Sequence, residues 1–146
     1  IKGYLGTQDI VFIGPNPSYN RFPTRYTDFF YDQLRINEFR NAHLTDLVKI
    51  RAFNKDAENI LTDENIINKQ LNFLSKEFDI IKPRLVVVLG KSYKSKIVKA
   101  ILEQRFKNLN IKEINHYSSI RFPRNKNRFT QEMRSIKKNY LKTGDR

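Results

Sequence analysis

Four short apolar stretches alternate with longer segments in which apolar residues return every three or four positions. The stretches cover residues 9–13, ended by Gly14; 44–50; 84–89, "RLVVVL", ended by Gly90; and 111–115, followed by His116. Three consecutive valines between Pro83 and Gly90 leave no polar face, which is the pattern of a central strand covered on both sides. Among the longer segments, residues 63–81 carry Ile67, Leu71, Leu74, Phe78 and Ile81 on one helical stripe. Thr62 stands as its N-cap and Pro83 as its stop. A second helix over 92–106 carries Tyr93, Ile97, Val98, Ile101 and Leu102. A third runs from about 127 to 141 with Phe129, Met133, Ile136 and Tyr140 facing in, and an aromatic-rich helix covers 27–39. This alternation predicts an α/β fold: a three-layer α/β/α sandwich around a central, mainly parallel four-stranded sheet. No repeat or linker divides the chain, and its 146 residues suit one domain.

Ligands of such sheets bind outside the carboxyl ends of the strands, and the unusual sequence lies there. "GPNPS" follows the first stretch, "DLVKIR" closes the second, "GKSYKSK" follows the third and "NHYSSIRFPRNKNR" follows the fourth. In "GPNPS", Gly14 permits a sharp turn, and Pro15 and Pro17 restrict how Asn16 can point. A rigid amide can orient a water or a base edge; a plain strand-to-helix turn uses the same residues. "VLGKS" suggests a phosphate loop, but that motif needs a glycine five positions before Gly90, where Leu85 stands. Gly90 and the helix start after it can still hold a phosphate oxygen, helped by Lys91, Lys94 and Lys96. His116 sits at the loop edge, where it can serve as an acid or hydrogen-bond donor, or be structural. Ile120, between Ser119 and Arg121, is either a core contact or a wedge for a duplex. His43 has no partner in sequence and reads as structural.

Charge narrows the class. Twenty-eight Lys and Arg against fifteen Asp and Glu give a net charge of +13. A field of that sign draws polyanions, although a Lys-rich composition can also be a solvated surface. The absence of cysteine removes disulfides, thiolate catalysis and sulfur-held metal, and two histidines are too few for a histidine-built metal site. No apolar run is long enough to span a membrane. An intracellular monomer without metal or cofactor is expected. The sequence as given has no signal-peptide pattern, and it opens on Ile1 rather than Met.

Taken in order, these motifs resemble the uracil-DNA glycosylase superfamily over nearly the whole chain. "FIGPNPS" is similar to the family's first motif, a strand followed by G-x-[ND]-P, in the Asn form of its mismatch-specific and single-strand-selective branches. "KPRLVVVLGK" is similar to its third strand. "HYSSI" resembles its H-P-S-P-L loop, with Tyr117 in place of Pro and Ile120 in place of Leu. The resemblance implies a single such domain over 1–146 and a DNA glycosylase of base-excision repair. It would flip a damaged or mismatched base from DNA, duplex or single-stranded, and hydrolyse its N-glycosidic bond. Asn16 would position the attacking water and His116 would donate to the charge developing on the base. Gly14 and an aromatic after the first motif would line the base pocket: Phe22, with Tyr19 and Phe30 as rivals. Ser18, Lys91, Ser92, Ser118, Ser119 and Arg121 would hold DNA, and Ile120 would fill the vacated stack.

One position departs from the family. Asp46 stands near the place where the superfamily often carries an Asn that reads the uracil edge. An amide both donates and accepts, whereas a carboxylate only accepts and would repel uracil O4. Either Asp46 faces the base and favours one presenting N–H donors, or it holds Lys49 or a backbone turn. A non-catalytic nucleic-acid-binding module on the same fold is the alternative to the enzyme, and a small-molecule nucleotide-binding protein a third reading.

Overall fold

A computed structural model describes residues 4–17 and 24–143. In chain order the elements are β1 (Ile10–Gly14), α1 (Arg25–Ile36), β2 (His43–Asp46), α2 (Asn54–Leu61), α3 (Glu64–Ile81), β3 (Leu85–Leu89), α4 (Tyr93–Arg105), β4 (Ile111–Ile114), a 3₁₀ turn (Tyr117–Arg121) and α5 (Pro123–Thr143). The four strands form one sheet in the order β2-β1-β3-β4, and every neighbouring pair is parallel. A parallel pair needs a crossover, which α1, then α2 with α3, then α4 provide. The expected three-layer sandwich is therefore present, with β1 and β3 at its centre.

Alternation along the strands divides the core in two. Ile10, Phe12, Leu44, Leu85, Val87 and Leu89 face α1 and α5, where Phe30, Leu34, Phe129, Met133 and Ile136 meet them. Val11, Ile13, Val86 and Val88 face the other way, against Ile67, Leu71, Leu74 and Phe78 of α3 and Val98 and Leu102 of α4. The three valines of β3 are fully buried, as their run implied. No helix among the described residues is long and apolar enough to cross a membrane.

Several boundaries differ from the expectation, each for a local reason. β2 ends at Asp46, yet Leu47 and Val48 stay buried because their N–H groups donate to Gly14 and Pro15 carbonyls at 2.9 and 3.0 Å. Helix α2 was not foreseen: only Ala57 and Leu61 face inward, too few to mark a stripe. Because Thr62 is already the C-cap of α2, the N-cap of α3 is Asp63, whose carboxylate accepts from Ile66 N–H at 3.1 Å. Tyr93 does not join the inward stripe of α4; it is exposed, and Ser95 is buried instead, donating to the Leu89 carbonyl at 3.2 Å. The last helix starts earlier, with Pro123 at its first position, where a missing N–H does no harm.

Candidate active site

All four loops named above leave the carboxyl ends of parallel strands, so the topology brings them to one edge of the sheet. The loop after β1 runs beside the loop after β2, with Ala52 N–H reaching the Pro17 carbonyl at 3.3 Å. Asn16 completes this pairing. Its Nδ2 donates to the carbonyls of Ala52 and Pro17, both at 3.0 Å, and lies 3.4 Å from that of Ile50. The prolines are thus only part of what holds Asn16; the amide is oriented by carbonyls on the neighbouring loop. Those contacts assign its nitrogen side. Among the described residues, no donor reaches Oδ1, which remains available as an acceptor.

Gly14 and Asp46 are register partners at the ends of β1 and β2. A Cβ on Gly14 would stand 2.7 Å from Asp46 Oδ1, so glycine is what lets the carboxylate lie there. Asp46 is only 8% exposed. Burial raises its carboxyl to about 6, with the charge of Glu77 adding to the rise and that of Lys49 opposing it. Lys49 is not held by this carboxylate. Its ammonium donates to Thr45 Oγ1, the Asp46 backbone carbonyl and Glu77. His43, read as structural, is buried in the same network. Its Nε2 lies 3.1 Å from Glu77, and its Nδ1 accepts from Gly6 N–H at 3.3 Å.

His116 stands at the end of β4, its Cβ 3.9 Å from where a Cβ on Gly90 would be. It caps the 3₁₀ turn: Nδ1 accepts from Ser118 N–H at 3.1 Å and lies 2.8 Å from Ser118 Oγ. With Nδ1 accepting, the proton of the neutral ring sits on Nε2. Desolvation, reinforced by the charge of Lys94, lowers the imidazole to about 4. At neutral pH the ring is therefore an uncharged Nε2–H donor. Its face lies 4.0 Å from the Tyr117 ring, which stacks on Phe30 at 5.0 Å. Tyr117 is buried, and its phenol is pushed upward first by that burial and then by the Asp46 carboxylate. A chain of groups thus runs along the sheet edge from Gly14 and Asp46 through Tyr117 to His116.

The remaining expectations fall out unevenly. Phe30 is fully buried in the ring cluster of the core, so it is not a surface for a base. Phe22, Tyr19 and Ser18 lie outside the described residues. Lys91 pairs with Glu132 of α5 at 3.0 Å, so its charge is compensated. Ser92 occupies the cap position of α4 without a capping hydrogen bond and is exposed. Ser118 is exposed, and the buried hydroxyl of Ser119 has no partner among the described residues. Ile120 is half-buried against the core; the exposed apolar side chain here is Phe122, with the Arg121 guanidinium 5.0 Å from its ring.

Sequence reasoning passed over Glu132. It accepts from Asn115 N–H and Nδ2 while pairing with Lys91, and so ties the third loop to the fourth. The signal was there: Glu132 is the only acidic residue of a strongly basic helix. Among the described residues, no group of three His, Cys, Asp or Glu could hold a metal. A surface groove of about 340 Å³, lined by Leu61, Ile67, Leu71, Ile101 and Arg105 among others, lies between α2, α3 and α4 and includes none of these loop residues. No curated protein matches the chain at a significant level. The model of the uracil DNA glycosylase superfamily matches residues 3–141, and the chain accordingly belongs to that superfamily, whose members are generally DNA glycosylases.

Proposed function

We propose that the chain is itself an active, monomeric, intracellular DNA glycosylase that takes a flipped base at this sheet edge and hydrolyses its N-glycosidic bond. The observation that carries the reading is the state of His116: a neutral imidazole with its proton on Nε2. As the C1′–N bond breaks, the bonding pair leaves with the base, and an uncharged donor stabilises that anion without first surrendering a proton. Water adds to C1′ and releases a proton to solvent. Asn16 Oδ1 accepts from that water and aims it, because Nδ2 is already fixed on Ala52 and Pro17. Ser92, Ser118 and Arg121 offer hydroxyls and charge to phosphates. Lys91 is held by Glu132 and shapes its loop. Phe122, being exposed, fits the vacated stack better than the half-buried Ile120.

Asn16→Ala and His116→Ala test this. Each is expected to slow single-turnover base release by ~10²–10³ while DNA affinity stays within about twofold, since neither residue carries positive charge at neutral pH. The measurement is single-turnover cleavage beside binding, over oligonucleotides bearing damaged and mismatched bases. Wild-type rates in both variants would leave the chain a nucleic-acid-binding module on this fold.

A further inference from the structure

Asp46 is the residue the proposed mechanism leaves unused, and its surroundings are specific. It is 92% buried, being 8% exposed, at the carboxyl end of β2. It shares a sheet face with Leu44, so it lies on the side of α1, α5 and Tyr117. Its carboxylate rests against the bare Cα of Gly14, where any side chain would collide with Oδ1. Among the described residues, no hydrogen-bond donor reaches either carboxylate oxygen. The nearby ammonium of Lys49 serves Thr45, Glu77 and the Asp46 backbone carbonyl instead. A buried carboxylate that finds no donor among the described residues can accept from a ligand that brings them.

We infer that Asp46 reads the base, and that it selects a damaged guanine whose edge keeps two adjacent N–H donors, N1–H and the 2-amino group, over uracil and hypoxanthine, which lack that pair. The inference rests on the glycosylase reading and narrows it. An ionised carboxylate has two acceptor oxygens and nothing to donate. The guanine edge meets it with two parallel N–H groups, as a guanidinium meets a carboxylate. Uracil offers one ring N–H flanked by two carbonyls, so a carbonyl would face the second oxygen lone pair to lone pair; hypoxanthine keeps N1–H but has C2–H where guanine has its amino group, leaving the second oxygen without a donor. Oxidation at C8 or alkylation at N7 leaves the N1 and 2-amino edge intact. Intact guanine in a duplex is shielded by its pairing, and flipping is easiest for a damaged or mismatched base. Gly14 makes the arrangement possible by leaving the carboxylate room.

The test pairs cleavage with binding. Oligonucleotides carry N7-methylguanine, 8-oxoguanine, hypoxanthine or uracil. A parallel set carries guanine, hypoxanthine or uracil on 2′-fluorinated sugars that resist cleavage. The wild type is expected to release the guanine-type bases and to bind the guanine probe about 10- to 100-fold more tightly than the hypoxanthine probe, which lacks only the 2-amino group. Asp46→Asn, checked for an intact thermal transition, should erase that preference and move it toward uracil. Gly14→Ala, which keeps the charge but displaces the carboxylate, should also erase it. Wild-type preference for uracil or hypoxanthine overturns the inference, as does an unchanged preference in Asp46→Asn. If no base is released at all, the glycosylase reading fails, and equal binding of the three fluorinated probes then overturns the role of Asp46 separately.

Discussion

Asp46 holds a charge that folding disfavours, and the sign of its effect on stability follows. Burial lifts its carboxyl from 3.8 to about 6, so the folded chain binds this proton more tightly than the unfolded chain. The contribution is favourable below about pH 4 and is lost as pH rises through about 6. The full swing is on the order of 3 kcal/mol. Asp46→Asn removes the charge and keeps the shape. It is expected to be more stable than wild type at pH 7.5 by up to about 3 kcal/mol, with the gap closing by pH 4. Urea unfolding of both proteins at the two pH values measures this. His116 shifts in the opposite direction but is common to both chains and cancels. A gap of equal size at both pH values would mean that Asp46 is not a lone buried carboxylate. At this scale the sequence was only partly legible. Asn16 stood out because prolines flank it, but the carbonyls that orient its amide come from Ala52 and Ile50, which no local pattern announces. Phe30 looked available because an aromatic on an amphipathic helix gives no sign of whether it meets a base or a core.

Among the elements, the strands were the most legible and the short turns the least. β1 and β3 are apolar on both faces because helices cover both, and that leaves a run no amphipathic helix would show. α2 buries two residues and the 3₁₀ turn one, so neither leaves a periodic trace. The turn from β3 into α4 shows how tightly a strand end can be specified. Gly90 has φ +119°, and a Cβ there would come 2.3 Å from Ser95 Oγ, which is itself bonded to the Leu89 carbonyl. Gly90→Ala therefore meets backbone strain and a side-chain collision together. It is expected to lower unfolding stability by roughly 1–3 kcal/mol. Because His116 lies beside Gly90, it should also slow base release. Thermal denaturation and a cleavage assay on one preparation check both. A variant that melts with the wild type would show that Ser95 moves aside freely and that the turn is not fixed by this glycine. Glu132 acts at the same scale, since α5 reaches across to hold the loops after β3 and β4 in one arrangement.

Over the whole molecule, the net charge of +13 gives a general attraction to DNA, and the ion pairs show where that attraction can become contact. Lys91 and Lys96 sit on the third loop and its helix, but Glu132 and Glu113 compensate them. Arg121, Arg124, Lys126 and Arg128 follow the fourth loop, and among the described residues none has an acidic partner; Arg121 and Lys126 lie over the rings of Phe122 and Phe29. Three of these cations lie in the first turns of α5, where the helix dipole disfavours positive charge. A chain that accumulates cations at such a place gains from an anion there. DNA affinity should therefore fall steeply with salt, with a log–log slope of about −0.9 per phosphate contacted. Replacing Arg121, Arg124 or Arg128 by Ala should each make the slope shallower by roughly 1. Lys91→Ala should change it less, because that ammonium is already neutralised before DNA arrives. Titrations between about 50 and 200 mM salt measure these slopes. A flat dependence in the wild type would remove DNA as the partner of this surface. Equal slopes for Lys91→Ala and Arg124→Ala, both shallower than wild type, would mean that the ion pair with Glu132 opens when DNA binds.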